Sequence, residues 1–215
     1  MDEKGIRYPG SAKPKPGEDE LGGENVLPGK YKVVISVNKQ SDSNYITLKT
    51  DPRKTDNTSI LNAQKSLKSK LRNFAEKLTQ GMDQLTDAEE IAKKYEAQLK
   101  DIELPTADSL RKQSKKIQEE IKTVKDFISG KKIERQGYGQ LPQETVLTAY
   151  GEALENISEK NVVPSKQEDL LIEKAEGKIA EAIKKINNFF STKWKAYQTL
   201  IENNKVDLFK DFKQL

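Results

Sequence analysis

The chain is 215 residues long, 34% hydrophobic and 33% charged, with a mean hydropathy of −0.83. That balance favours amphipathic helices over a thick buried sheet, and the lack of continuous apolar runs argues against a doubly wound enzyme fold. There is no Cys and no His, which removes thiol nucleophiles, imidazole bases, zinc sites of the usual ligand type and Ser-His-Asp triads.

The 38 Lys and Arg residues against 34 Asp and Glu leave a net charge of only +4. Lys alternates with Glu along segments such as 115–125, unlike the concentrated basic face of a nucleic-acid binder. No apolar stretch approaches the roughly 18 residues of a spanning helix, and Met1 to Gly10 has no signal-peptide core. The expectation is no nucleic acid, no membrane insertion and no cofactor. The missing Cys suits an exported bacterial protein as well as a cytosolic one.

Gly5 to Tyr8 is a candidate short strand. From Gly10 to Glu24 the chain is rich in Pro, Gly, Lys and Glu, the composition of a flexible loop. Val26-Leu27-Pro28-Gly29 signals a turn. Tyr31, Val33, Ile35 and Val37 then alternate with mostly polar neighbours, as in a half-buried strand. A polar turn over 39–43 and a second strand over 44–50, with Ile46 and Leu48 on one face, would complete a hairpin. Two strands cannot cover such a face, so the hairpin is expected to be the remnant of a larger sheet, with Met1 a boundary inside a β-domain. Asp51-Pro52-Arg53 closes the sheet, because proline keeps the residue before it extended and removes a ladder donor.

Residues 54–215 change character. Leu67, Leu71, Phe74, Leu78, Leu85, Ala88, Ala92, Tyr95 and Leu99 fall at helical intervals, predicting a helix over about 58–100 with a weak point near Gly81, where Thr86-Asp87-Ala88-Glu89 resembles a capping box. A second helix is predicted over 106–129, capped by Thr106 or Asp108, with Leu110, Ile117, Ile121, Val124 and Ile128 inward. Gly130 stops it, and Lys131 to Leu141 reads as an exposed loop. A third helix runs over 142–158 from Pro142, with Val146, Leu147, Tyr150, Leu154 and Ile157 inward. A fourth runs over 166–203 on a stripe of Leu171, Ala175, Ile179, Ile183, Ile186, Phe190, Trp194, Tyr197 and Ile201. The fold class is thus mainly α, an antiparallel up-and-down four-helix bundle preceded by a β-hairpin or three-stranded remnant. Val206 to Phe212 is expected to plug one end.

Three segments carry a family resemblance: Arg7-Tyr8-Pro9-Gly10, Leu27-Pro28-Gly29-Lys30-Tyr31-Lys32-Val33, and Lys49-Thr50-Asp51-Pro52-Arg53. They resemble the C-terminal region of bacterial sortilin-like β-propeller proteins, often labelled glycosyl hydrolases with BNR repeats and common in Bacteroidetes. In that family an immunoglobulin-like module ends in a Pro-Gly-x-Tyr-x-Val strand and an Asp-Pro-Arg exit, and a helical domain follows. Lys116 to Ile121, Leu141-Pro142, the 147–154 helix and Trp194-Lys195 agree as well. The apolar strand that precedes Arg7 in the family is replaced here by Met1 to Gly5. The propeller lies outside this chain, so the hydrolase label does not transfer to these residues. The resemblance implies a periplasmic or extracellular parent protein.

Glu89-Glu90 and Glu119-Glu120 are paired acids, but neighbours on a helix point apart, and solvated surface with i,i+4 ion pairs is the simpler reading than a glycosidase pair. Phe189, Phe190, Trp194 and Tyr197 sit at helical spacing and read as core. No catalytic, cofactor-binding or metal-ligating residue is expected. The candidate interface is the apolar hairpin face, Tyr31, Val33, Ile35, Val37, Ile46 and Leu48, since exposed apolar area marks contact surfaces. Asp51, Pro52 and Arg53 form the candidate sheet–bundle junction. The expected function is accessory: packing on an upstream propeller of the same parent chain or on another protein. The alternatives are an independent helical binding module, adhesin-like or peptide-binding, and, last, part of a glycoside hydrolase.

Overall fold

The computed structural model describes residues 2–15, 17–18, 21–53, 57–102, 105–131, 143–159 and 162–204. The chain is mainly α, a bundle of four helices preceded by small antiparallel β elements. In order these are β1 (Asp2–Lys4), β2 (Gly22–Asn25), β3 (Gly29–Val37), β4 (Gln40–Leu48), α1 (Thr58–Gln98), α2 (Pro105–Ser129), α3 (Val146–Glu159), α4 (Lys166–Phe189) and α5 (Lys195–Asn203). A 3-10 turn, Leu99–Asp101, ends α1, and a π-helical turn, Phe190–Trp194, joins α4 to α5 in one rod.

The helices form where the apolar stripe repeats every three to four residues. Leu71, Leu78 and Leu85 of α1, Ile121 and Ile128 of α2, Ile157 of α3 and Ile179 of α4 are fully buried in one shared core. Burial on this scale stabilises by about 2 kcal/mol per large aliphatic side chain. Antiparallel packing is visible in cross-helix pairs. Glu89 of α1 takes Lys125 of α2 at 2.6 Å and Glu96 takes Lys115 at 3.6 Å, while Lys174 of α4 takes Glu152 of α3 at 3.4 Å. Farther along the rod, Lys185 lies over the Phe127 ring, Lys193 meets Glu120 at 3.6 Å and Tyr197 meets Ser114 at 2.8 Å. α3 and α2 therefore follow one another along the α4–α5 rod.

Helix ends have local causes. Pro105, not Thr106 or Asp108, opens α2, since its fixed φ and missing N–H suit the first helical position. Asp108 sits inside that first turn and pairs with Arg111 at 2.5 Å. α3 starts at Val146 rather than at 142, because Thr145 and Thr148 cap it reciprocally: each backbone N–H donates to the other's hydroxyl, at 2.7 and 3.1 Å. Pro142 and most of the expected 131–141 loop lie outside the described residues, as does the 206–212 plug. α4 begins at a capping box of Ser165 and Glu168.

α1 is unbroken at Gly81, and Thr86 is no cap; its hydroxyl donates to the Met82 carbonyl inside the helix at 3.0 Å. The rod bulges where the Thr192 hydroxyl donates to the Asn188 carbonyl at 2.6 Å and Ser191 to the same oxygen at 3.2 Å. Side-chain donors competing for a ladder carbonyl are a known cause of such insertions.

The β region departs furthest from expectation. Gly5 to Tyr8 is not a third strand of the hairpin. β1 pairs with β2 in a sheet of its own, Gly5 N–H donating to the Leu21 carbonyl at 2.8 Å. The expected 10–24 loop therefore ends in a strand, and Lys13 ties it to Asp87 of α1 at 2.6 Å. Residues 6–10 are a strap across α1 and α3. Ile6 joins the main core, Pro9 is fully buried, and Arg7 forms an ion pair with Asp83. Tyr8 donates to the Leu147 carbonyl at 3.2 Å and stands edge-on to Tyr150 at 5.4 Å.

The hairpin turn is also tighter than the polar spacing suggests. Val37 pairs with Gln40, and the two residues between, Asn38 and Lys39, both have positive φ, 49° and 70°. That is the type I′ requirement, which matches the strand twist and leaves 40–43 inside β4 rather than in a turn. Lysine is strained there, at about 1 kcal/mol. Lys39→Gly is expected to slow hydrogen exchange of the β3–β4 amides about fivefold while the melting of the helical body stays unchanged. Equal exchange in the two chains would contradict a left-handed Lys39.

Candidate functional site

The hairpin is held out from the helical body. β3 and β4 pair along their whole length, Gly29 with Leu48 through Val37 with Gln40. Among the described residues, neither forms an extensive contact with a helix. Residues directly opposite share a face, so the register gathers Tyr31, Val33, Ile35, Val37, Ile46 and Leu48 on one side, as the alternation predicts. Exposure rises toward the turn. Tyr31, Val33 and Leu48 are half-buried, whereas Ile35 is 66% and Val37 62% exposed. The Tyr31 hydroxyl donates to the Leu27 carbonyl at 2.6 Å, fastening the base of the hairpin to the turn before it.

The opposite face carries a second apolar strip that the alternation did not reveal. Val34 and Tyr45 are 55% and 60% exposed, and the Lys30 ammonium lies 4.7 Å over the Tyr45 ring. The signal was in the sequence: Val33-Val34-Ile35 and Tyr45-Ile46 are contiguous apolar residues, and in a strand contiguity puts apolar groups on both faces. With two strands only, each strand also keeps one outer edge of backbone donors and acceptors without a strand neighbour among the described residues. Two apolar faces and two open edges are what strand addition and face-to-face packing use.

Asp51, Pro52 and Arg53 lie beyond the end of β4. Arg53 does reach a carboxylate, but it is that of Asp51, through Nε at 3.0 Å and the terminal nitrogen at 2.8 Å. Its backbone N–H donates to the same group at 3.0 Å. The Arg53 side chain is 87% exposed, and this fork stiffens the exit turn.

The paired acids are dispersed. Glu89 bridges Lys93 on its own helix and Lys125 on α2, and Glu120 faces Lys193. Among the described residues no group of three or more acids is placed to hold a metal, and no helix is long and apolar enough to cross a membrane. Phe189 and Tyr197 are buried, and Trp194 packs on the same core, with ring centroids 5.2 to 6.5 Å apart along the set. The buried Tyr197 hydroxyl meets Ser114, whose own hydroxyl donates to the Leu110 carbonyl at 3.0 Å. No family model, curated protein or solved structure matches this chain.

Proposed function

We propose that the chain is a non-catalytic interaction module that docks a neighbouring β-rich module through the β3–β4 hairpin. The observation that carries this is the exposure of Val34, Ile35, Val37, Tyr45 and Ile46 on an element that, among the described residues, has no helix packed extensively against it. A lone hairpin of this kind is marginal in water and gains most from burial against a partner. The sortilin-like resemblance of the Pro28-Gly29 strand entry and the Asp51-Pro52-Arg53 exit supplies the neighbour, an upstream β-propeller of an exported bacterial parent protein. The helical body then acts as a spacer and support. Trp194 packs on the core and Tyr197 is buried; the alternative of a groove between helices rests on a cleft of about 390 Å³ between α2 and α5 that Tyr197 borders.

Calorimetric titration of the separately expressed upstream propeller region into this chain is expected to give saturable binding. Ile35→Asp and Val33→Asp, with unchanged helical circular dichroism, are expected to abolish it, because a carboxylate in a dry interface has no partner. A well-folded wild-type chain that releases no binding heat would overturn the reading.

A further inference from the structure

Away from the hairpin, β1–β2 and the strap roof a cavity of about 240 Å³ over α1 and α3. One wall is backbone, from Gly5, Gly22 and Gly23, and another is α1, which contributes Lys65, Lys68 and Arg72. Their i, i+3, i+7 spacing puts the three cations on one helix stripe, where Arg72 already meets Glu76 at 3.3 Å. Tyr8 and Tyr150 also line the space. The Tyr8 hydroxyl already donates to Leu147. Tyr150 is only 4% exposed, yet its hydroxyl has no hydrogen-bond partner among the described residues. The hydroxyl opens onto the cavity, where water or a ligand is its partner.

We propose that this cavity binds a small oxyanion-bearing ligand, a phosphate or a carboxylate on a body of about monosaccharide size, received by the Tyr150 hydroxyl and the Lys68 ammonium. The side chains facing the space are nearly all donors. The one carboxylate, Glu24, is engaged by Lys68 at 3.1 Å, and an ammonium has three donors, so two remain for a ligand. Burial pushes the Tyr150 hydroxyl up to about 12, the Tyr8 hydroxyl and the Glu24 carboxylate adding to the effect. It therefore stays protonated at neutral pH and can only help an acceptor by donating. Charge-assisted bonds to an anion are the strong ones. This site shares no residue with the hairpin face and stands or falls apart from it.

The test is a nuclear magnetic resonance titration of the whole chain, at fixed ionic strength, with inorganic phosphate, with glucuronate and with glucose. Phosphate or glucuronate is expected to shift the Gly22, Gly23 and Tyr150 amides saturably, and glucose is not. Saturation by phosphate alone marks a free phosphate site, and by glucuronate alone a ring carboxylate. Tyr150→Phe, which keeps the ring packing, and Lys68→Met should each weaken binding about tenfold or more, while Ile35→Asp leaves it unchanged. No saturable shift from either anion through the millimolar range, or equal affinity in Tyr150→Phe, would overturn the proposal and leave the hydroxyl to water alone.

Discussion

Gly81→Val is expected to destabilise the chain by about 2 kcal/mol and to lower its melting temperature by about 4 to 8 °C. A glycine in the middle of a 41-residue helix costs about 1 kcal/mol relative to alanine, so its presence needs a local reason. The reason is α4. A Cβ at position 81 would stand 2.8 Å from the Ile186 Cδ1 and 3.6 Å from its Cγ2, inside van der Waals contact. Alanine there is expected to be close to neutral, because the helix gain offsets a turn of the Ile186 side-chain end. Valine adds two methyl groups to the same space and cannot be accommodated that way. Ile186→Val removes the clashing Cδ1, so in the Gly81→Val background it should recover stability, although alone it costs about 1 kcal/mol. Thermal denaturation of the four chains measures this coupling. Strict additivity, or a Gly81→Val chain that melts with the wild type, would contradict the close approach of α1 and α4.

Arg7→Met is expected to cost about 2 kcal/mol, and more than Arg7→Met with Asp83→Asn. Arg7 fastens the strap to α1. Its guanidinium holds Asp83 and donates to the Ser11 carbonyl at 3.1 Å, and its backbone carbonyl accepts from the Thr79 hydroxyl at 3.4 Å. Both partners are largely covered, at 14% and 28% side-chain exposure. Removing the cation leaves a carboxylate short of both water and partner, the costly half of a broken pair. Neutralising Asp83 removes that penalty but not the lost strap contacts, which is why the double variant should be the milder one. Urea midpoints of the three chains decide it. Equal losses in single and double variants would mean that Asp83 is well solvated without Arg7.

How far the fold could be read from residues varied with how local its causes were. The α1, α2 and α4–α5 spans follow from long amphipathic stripes, and the structure places them within a few residues of expectation. In the last helix Ala175, Ile179, Ile186 and Tyr197 are buried as expected, and the stripe slips by one at two places: Ile172 and Phe189 are buried, while Leu171 and Phe190 lie at the rim. Leu170-Leu171-Ile172 and Phe189-Phe190 are contiguous apolar runs, and only the neighbouring helix decides which member points inward. The hairpin turn lacked the Asn-Gly signal that would have marked Asn38-Lys39. Gly5 to Tyr8 reads as a strand in the sequence because the contacts that make Arg7 and Tyr8 a strap, with Asp83, Leu147 and Tyr150, are all distant in sequence. For the candidate site, alternation revealed one hairpin face, contiguity would have revealed the other, and the Tyr150 cavity, assembled from four separate segments, had no local signal.

The proposed docking role of the hairpin is tested most directly by hydrogen exchange of the β3–β4 amides in the free chain and in the chain saturated with the β-propeller region proposed as its partner. Free, these amides should exchange far faster than those of α1 and α4, since no packed core protects them. Bound, the amides of Val33 to Val37 and Tyr45 to Leu48 should slow by at least tenfold with little change in the helices. A hairpin already as protected as the helices in the free chain, or one whose exchange is unchanged at saturation, would contradict it.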